Sequence, residues 1–153
     1  MHARINRAGL GKGKQMPQFQ LNYGTGEAAD KFSSLDSFLQ GYIEAAFFTE
    51  TGYSENEDLE HASFCELAES AIVEAQEDCF EFQASAAQWL EKAREYDYDM
   101  EQAGRDFWFS RNGHGAGYFD RKIGAAAEAL QELAHKQGSR DMYRGDDGMI
   151  YFS

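Results

Sequence analysis

This 153-residue chain has one proline, two cysteines and no long apolar run. The lone proline, Pro17, marks no proline-rich linker, so nothing divides the chain into domains. Cys65 and Cys79 are too few for a disulfide framework and read as buried thiols. No apolar stretch approaches the roughly 20 residues that span a bilayer, and no hydrophobic signal region is visible. The expectation is a soluble cytoplasmic protein with no membrane contact. Basic residues are also scarce, at 14 against 27 acids, for a formal net charge of −13.

What is present argues for a folded domain. Apolar residues make up 42% and aromatics 14%, more than an acidic disordered chain carries. The charge is unevenly placed. Residues 1–17 hold Arg4, Arg7, Lys12 and Lys14 and no acid. From Glu44 to Asp106 there are 18 acids against Lys92, Arg94 and Arg105. A centre this acidic repels phosphates, which excludes direct DNA binding by that face.

Residues 1–18 read as a flexible basic leader, with alternating glycines and no apolar periodicity, and Met16 offers an alternative start. Residues 19–153 read as a single α+β domain. Phe19, Leu21 and Tyr23 alternate with polar residues, a short strand pattern. Ser34 is placed to cap a helix whose apolar residues Leu35, Phe38, Leu39, Tyr42, Ala46 and Phe47 recur at helical spacing. Residues 52–56 read as a turn. Ser63-x-x-Glu66 has the form of a capping box. Beyond it, apolar residues keep helical spacing from Phe64 to Ala93, as one long helix or two with a break near Gln83–Ser85.

Gly104 closes a short helical or turn segment over 96–103. Asn112-Gly113 then joins Phe107–Ser110 to Tyr118-Phe119 as a hairpin. Ala125–Lys136 forms an amphipathic helix stopped by Gly138. Met142-Tyr143 and Met149–Phe152 form a second hairpin around Gly145-Asp146-Asp147-Gly148. The predicted fold is α+β, with three or four helices packed on a small antiparallel sheet made of two C-terminal hairpins.

Two groups of residues offer function. Glu69, Glu74, Glu77, Asp78, Glu81, Glu91 and Glu95 lie opposite the apolar stripe of the long helical stretch, with few basic partners at i,i+4. His114 sits among glycines with Asp106, Arg111 and Asp120 close in sequence. A histidine oriented by a carboxylate can move a proton near neutral pH, and an arginine can hold an oxyanion. No serine or cysteine lies beside His114 in a nucleophile-elbow context, and the glycine spacing matches neither common phosphate loop. Asn112-Gly113 accounts for the glycines as turn chemistry.

His61-x-x-x-Cys65 has metal-ligand spacing, but Ser63 begins the helix after His61, so no metal site is expected. Asp146-Asp147 reads as turn chemistry rather than a cation site. No cofactor is expected. Trp89, Trp108 and the phenylalanines read as core.

The stretch from Gly104 to Arg121 fits G-x-D-F-W-x-x-R-N-G-H-G-A-G-[FY]-[FW]-D, and the C-terminus fits Y-x-G-D-D-G-x-[IV]-Y. Upstream, Phe38, Leu39, Tyr42, Ile43, Glu44 and Ala46 fit F-L-x-x-Y-I-E-x-A. In these motifs, over about residues 35–152, the chain resembles a family of small acidic proteins of unassigned function encoded by bacteriophages, plasmids and related mobile elements. The resemblance implies an accessory gene product acting in the cytoplasm of a bacterial host.

Small acidic accessory proteins suit stoichiometric action on host enzymes. The leading expectation is therefore a non-enzymatic binding protein that inhibits or modulates a nucleic-acid-handling enzyme, defence enzymes included, by nucleic-acid mimicry. Its partner would be a host protein with a basic nucleic-acid-binding groove, met by these seven helix acids, Glu69 to Glu95. One alternative is a small hydrolase or ligand-binding protein centred on His114, Arg111, Asp106 and Asp120. Another is a structural or virion-associated subunit. Oligomeric state is left open.

Overall fold

The computed structural model describes residues 21, 23–52 and 57–153. The leader, most of the strand predicted over 19–23 and residues 53–56 of the predicted turn lie outside the described residues.

The described chain is mostly helical. Six helices, α1 (Glu27–Ser34), α2 (Ser37–Phe47), α3 (Glu69–Ser85), α4 (Ala87–Ala93), α5 (Met100–Arg111) and α6 (Ala126–Lys136), are followed by one hairpin of β1 (Met142–Arg144) and β2 (Ile150–Phe152). The α+β expectation thus holds only coarsely. One two-stranded hairpin is present among the described residues, where a sheet of two hairpins was expected.

Local chemistry accounts for most boundaries. Asp36, not Ser34, caps α2, its carboxylate accepting from the Leu39 N–H at 2.8 Å, while Ser34 is the last residue of α1. A π-helical turn, Phe48–Gly52, prolongs α2. The Glu66 carboxylate accepts from the Ser63 N–H at 3.1 Å, as a capping box requires. What it caps is a 3-10 turn, Phe64–Glu66, and α3 begins only at Glu69. The long apolar pattern breaks into α3 and α4 at Ala86 (φ −105°, ψ 9°). Asp99 caps α5 through the Gln102 N–H at 2.7 Å.

Gly104 does not end a segment. It lies inside α5, where that helix presses against α2. A Cβ on Gly104 would come within 1.9 Å of the Phe38 carbonyl oxygen, and one on Gly41 within 2.0 Å of the Glu101 carbonyl oxygen. Only glycine at both positions lets the two backbones approach this closely.

The hairpin predicted through Asn112-Gly113 is absent, because Phe107–Arg111 continue α5 and Tyr118–Asp120 form a 3-10 turn. Asn112-Gly113 is instead the C-cap of α5. Gly113 takes φ +69°, its N–H donates to Ser110 O at 3.3 Å, and the His114 N–H donates to Phe109 O at 3.0 Å. These are the paired bonds of a Schellman motif.

The C-terminal hairpin forms as predicted. Gly145 and Gly148 close the turn, and Met142, Arg144, Ile150 and Phe152 share one side, with Met142 opposite Phe152 and Arg144 opposite Ile150. Met142, Ile150 and Phe152 are buried, and Tyr143 and Tyr151 stack on the outer face. Ile150 O also accepts from the Ala68 N–H at 2.9 Å, which ties the hairpin to the start of α3.

Aromatic rings fill the core. Phe82 stacks on Phe107 at 4.2 Å, Tyr42 packs on Phe107 and Trp108, and Tyr118 stacks on Phe82. Trp108 is fully buried, as expected of core, whereas Trp89 is only partly covered and Phe80 stands in solvent. Cys79 is buried as expected, but Cys65 is exposed.

Candidate functional site

The residues that suggested an acid–base centre do not converge. Asp106 is fully buried. It receives two hydrogen bonds from Arg121, at 2.7 and 2.8 Å, with further donors from the Tyr98 hydroxyl at 2.5 Å and Gln102 at 3.2 Å. Burial, reinforced by the neighbouring Tyr118 and Asp106, keeps the Tyr98 hydroxyl protonated. Both Asp106 oxygens are therefore committed to protein donors.

Arg111 is equally occupied. Nη1 donates to Asp78 at 2.8 Å and to the Tyr42 hydroxyl at 2.9 Å, while Nε and Nη2 donate to Gly138 O at 2.7 Å and Gln137 O at 3.1 Å. Its guanidinium lies 4.9 Å from the centre of the Phe107 ring. These contacts join α2, α3 and α5 to the carbonyl end of α6, where a cation is favoured.

His114 is half-buried and meets the Phe109 ring edge-on at 6.2 Å. Burial holds its pKa below the ordinary 6.5, opposed by Asp141. Asp141 is thus the carboxylate that opposes the shift. Asp120 is exposed. Neither the hollow of about 390 Å³ around Cys65 and Lys31 nor the one of about 670 Å³ between Phe119 and α6 is lined by any of the four residues.

The signature stretch is better explained as a closure of the fold. Ser110 Oγ donates to Gln131 at 2.7 Å and accepts from the Tyr118 N–H at 3.0 Å. The Tyr118 hydroxyl donates to Ala103 O at 2.7 Å. Gly117, at φ +147°, must be glycine, because a Cβ there would lie 2.3 Å from Ser110 Oγ.

The other predicted chemistry is local. His61 takes φ +66°, beside Glu60 at 3.6 Å, ahead of the 3-10 turn that carries Cys65. The Cys65 thiol lies 3.1 Å from Ser63 Oγ. Asp147 accepts from the Met149 N–H at 3.0 Å and the Tyr151 hydroxyl at 2.5 Å, which is turn chemistry.

The seven acids of the helical stretch divide. Glu69, Glu74, Glu77, Glu81, Glu91 and Glu95 are exposed on α3, on α4 and on the 3-10 turn that follows. Asp78 is half-buried and holds both Arg111 and Arg140, each at 2.8 Å. Desolvation raises its pKa, but the hydrogen bonds from Arg140 and Arg111 outweigh it and the net shift is downward. Asp78 is therefore part of the fold's interior wiring and unlike the six around it.

The arginines explain the outer charge. Arg105 pairs with Glu44, Arg121 with Asp106, Arg111 and Arg140 with Asp78, and Arg144 with Glu66. On the outer acids, ion pairs fall at Glu69, with Lys31, and at Glu91, with Arg94. Glu74, Glu77, Glu81 and Glu95 have no ion pair among the described residues.

Sequence reasoning missed this allocation because pairs such as Arg105–Glu44 and Arg140–Asp78 join residues about 60 positions apart. The exposed apolar residues on the same face, Val73 and Phe80, were also missed, although both break the polar pattern of the outer positions.

No protein-family model, curated protein or solved structure matches this chain.

Proposed function

We propose that this chain is a non-enzymatic acidic binding protein of a phage or mobile element. It modulates or inhibits a host nucleic-acid-handling enzyme by offering carboxylates where that enzyme receives phosphates. The single supporting observation is that five arginines are paired with other carboxylates, while Glu74, Glu77 and Glu81 stand exposed on one helix with no ion pair among the described residues. A rigid helix holding such acids projects a negative field outward and steers a basic groove toward it. The mobile-element setting comes from the resemblance of the Gly104–Arg121 and Tyr143–Tyr151 motifs.

The partner is a host protein with a basic nucleic-acid groove, and the contact acids are Glu69, Glu74, Glu77, Glu81, Glu91 and Glu95. Asp78 is left out because its carboxylate is already neutralised.

Affinity capture from bacterial lysate at low salt, followed by mass spectrometry, tests this reading. Recovery of basic nucleic-acid enzymes by the wild type, lost with Glu74→Gln, Glu77→Gln and Glu81→Gln together, is the expected result. Recovery of none sinks it.

A further inference from the structure

Helix α3 is apolar on two opposite faces. Its inner face is the core stripe of Ala71, Ile72, Ala75, Cys79 and Phe82. On its outer face Val73 is 47% and Phe80 is 74% exposed. At about 100° per residue, Val73, Glu77, Phe80 and Ala84 form one ridge on the side away from the core. Glu74 and Glu81 run along one flank of the ridge, and Glu69 and Gln76 lie on the other.

Covering a phenylalanine ring is favourable, so an exposed one leaves that free energy to a partner. Single exposed apolar residues are ordinary, but two on one ridge inside an acidic face are a bounded apolar patch with a charged rim. The acids are a sparser row of charge than a duplex offers. Glu74, Glu77 and Glu81 stand about 5 Å apart along the helix axis, against one charge per about 1.7 Å of duplex. The sparse charge leaves room for an apolar anchor to supply the remaining affinity. Two copies of this face would bring their own glutamates together, so charge complementarity favours a basic partner over self-association.

We infer that the Val73–Phe80 ridge docks a basic amphipathic helix of a partner protein, a step that rests on the acidic-face reading above. The partner's apolar side chains cover Phe80 and Val73, and its lysines and arginines reach Glu74, Glu77 and Glu81. Recognition of this kind reads anchors at helical spacing on both partners.

The probe is a synthetic peptide of about 18 residues, with leucines at i, i+3, i+4 and i+7 and lysine or arginine on the remaining face. A scrambled peptide of the same composition is the control. Both are titrated into the ¹⁵N-labelled full chain. The patterned peptide should shift amides centred on residues 73–84 and bind at least tenfold tighter than the scrambled one. Phe80→Ser should weaken it at least tenfold, Phe80→Leu should restore most of the affinity, and neither variant should move the melting temperature appreciably.

Equal binding of the two peptides, or no effect of Phe80→Ser, overturns the anchor while leaving the acidic-face reading standing. No shift on this face with either peptide overturns both. A dimer in sedimentation that Phe80→Ser dissolves gives the ridge to a second copy and also overturns the inference.

Discussion

Asp78 Oδ2 accepts from Arg111 Nη1 at 2.8 Å, and Arg140 Nε reaches the same oxygen at 2.8 Å. One carboxylate on α3 thus gathers a cation from the end of α5 and another from the segment between α6 and β1. Removing Asp78 leaves the Arg111 guanidinium, only 3% exposed, without its counter-charge. Asp78→Ala should cost about 3 kcal/mol, because a buried charge left unpaired is far more costly than a pair never made. Urea unfolding of the variant against the wild type measures this.

The same pair sets an acid limb. The folded-state pKa of Asp78 lies below the ordinary 3.8. Its contribution to stability is therefore full above that pH and lost as pH falls through the lower folded value. Melting temperatures between pH 5 and pH 2 should fall less steeply in Asp78→Asn than in the wild type. Parallel curves would show that Asp78 carries no such linkage.

His114 shifts stability in the same direction as Asp78, but at higher pH and through burial alone. Burial disfavours its charged form, so its folded pKa is below 6.5 and its contribution to stability is lost as pH falls below that value. In an NMR titration, Asp141→Asn should lower the His114 pKa further, and Asp120→Asn should leave it unchanged. A response to Asp120 instead would bring back the His114-centred alternative.

Gly41 and Gly104 set the distance between α2 and α5. Either Gly→Ala substitution puts a Cβ about 2 Å from a carbonyl oxygen of the facing helix, so the helices must separate. Each should cost about 3 kcal/mol or more, read as a fall in the urea midpoint. Gly113→Ala, which meets no atom within 4 Å, should cost less, because only its positive φ is strained.

These glycines mark what the sequence conveys and what it does not. Short-range chemistry was legible: the C-terminal hairpin around Gly145–Gly148, the break between α3 and α4, and the stop of α6 at Gly138. Gly104 was read as a terminator because a glycine that ends a helix and one that lets two helices touch look alike without the facing Phe38. Asn112-Gly113 was read as a hairpin because positive φ serves a hairpin turn and a helix C-cap equally. The candidate site shows the same limit. The exposure of Glu74, Glu77 and Glu81 follows from periodicity, whereas the occupation of Asp78, Asp106 and Arg111 depends on partners that periodicity does not reveal.

Glu74, Glu77 and Glu81 make no ion pair among the described residues, so Glu74→Gln, Glu77→Gln and Glu81→Gln together should leave stability unchanged or raise it by a few tenths of a kcal/mol, as self-repulsion on α3 is relieved. A loss above 1 kcal/mol in thermal unfolding would mean that these acids serve the fold rather than a partner.

The most direct measurement is competition. A basic nucleic-acid enzyme captured by this chain is titrated with it in the presence of labelled duplex DNA, and displacement is followed by fluorescence anisotropy across a salt series. Displacement of the duplex in a one-to-one complex that weakens with salt, and that is lost with the triple glutamine variant, is the expected result. Simultaneous binding of the duplex and this chain, or displacement that the triple variant leaves untouched, would contradict phosphate mimicry by α3.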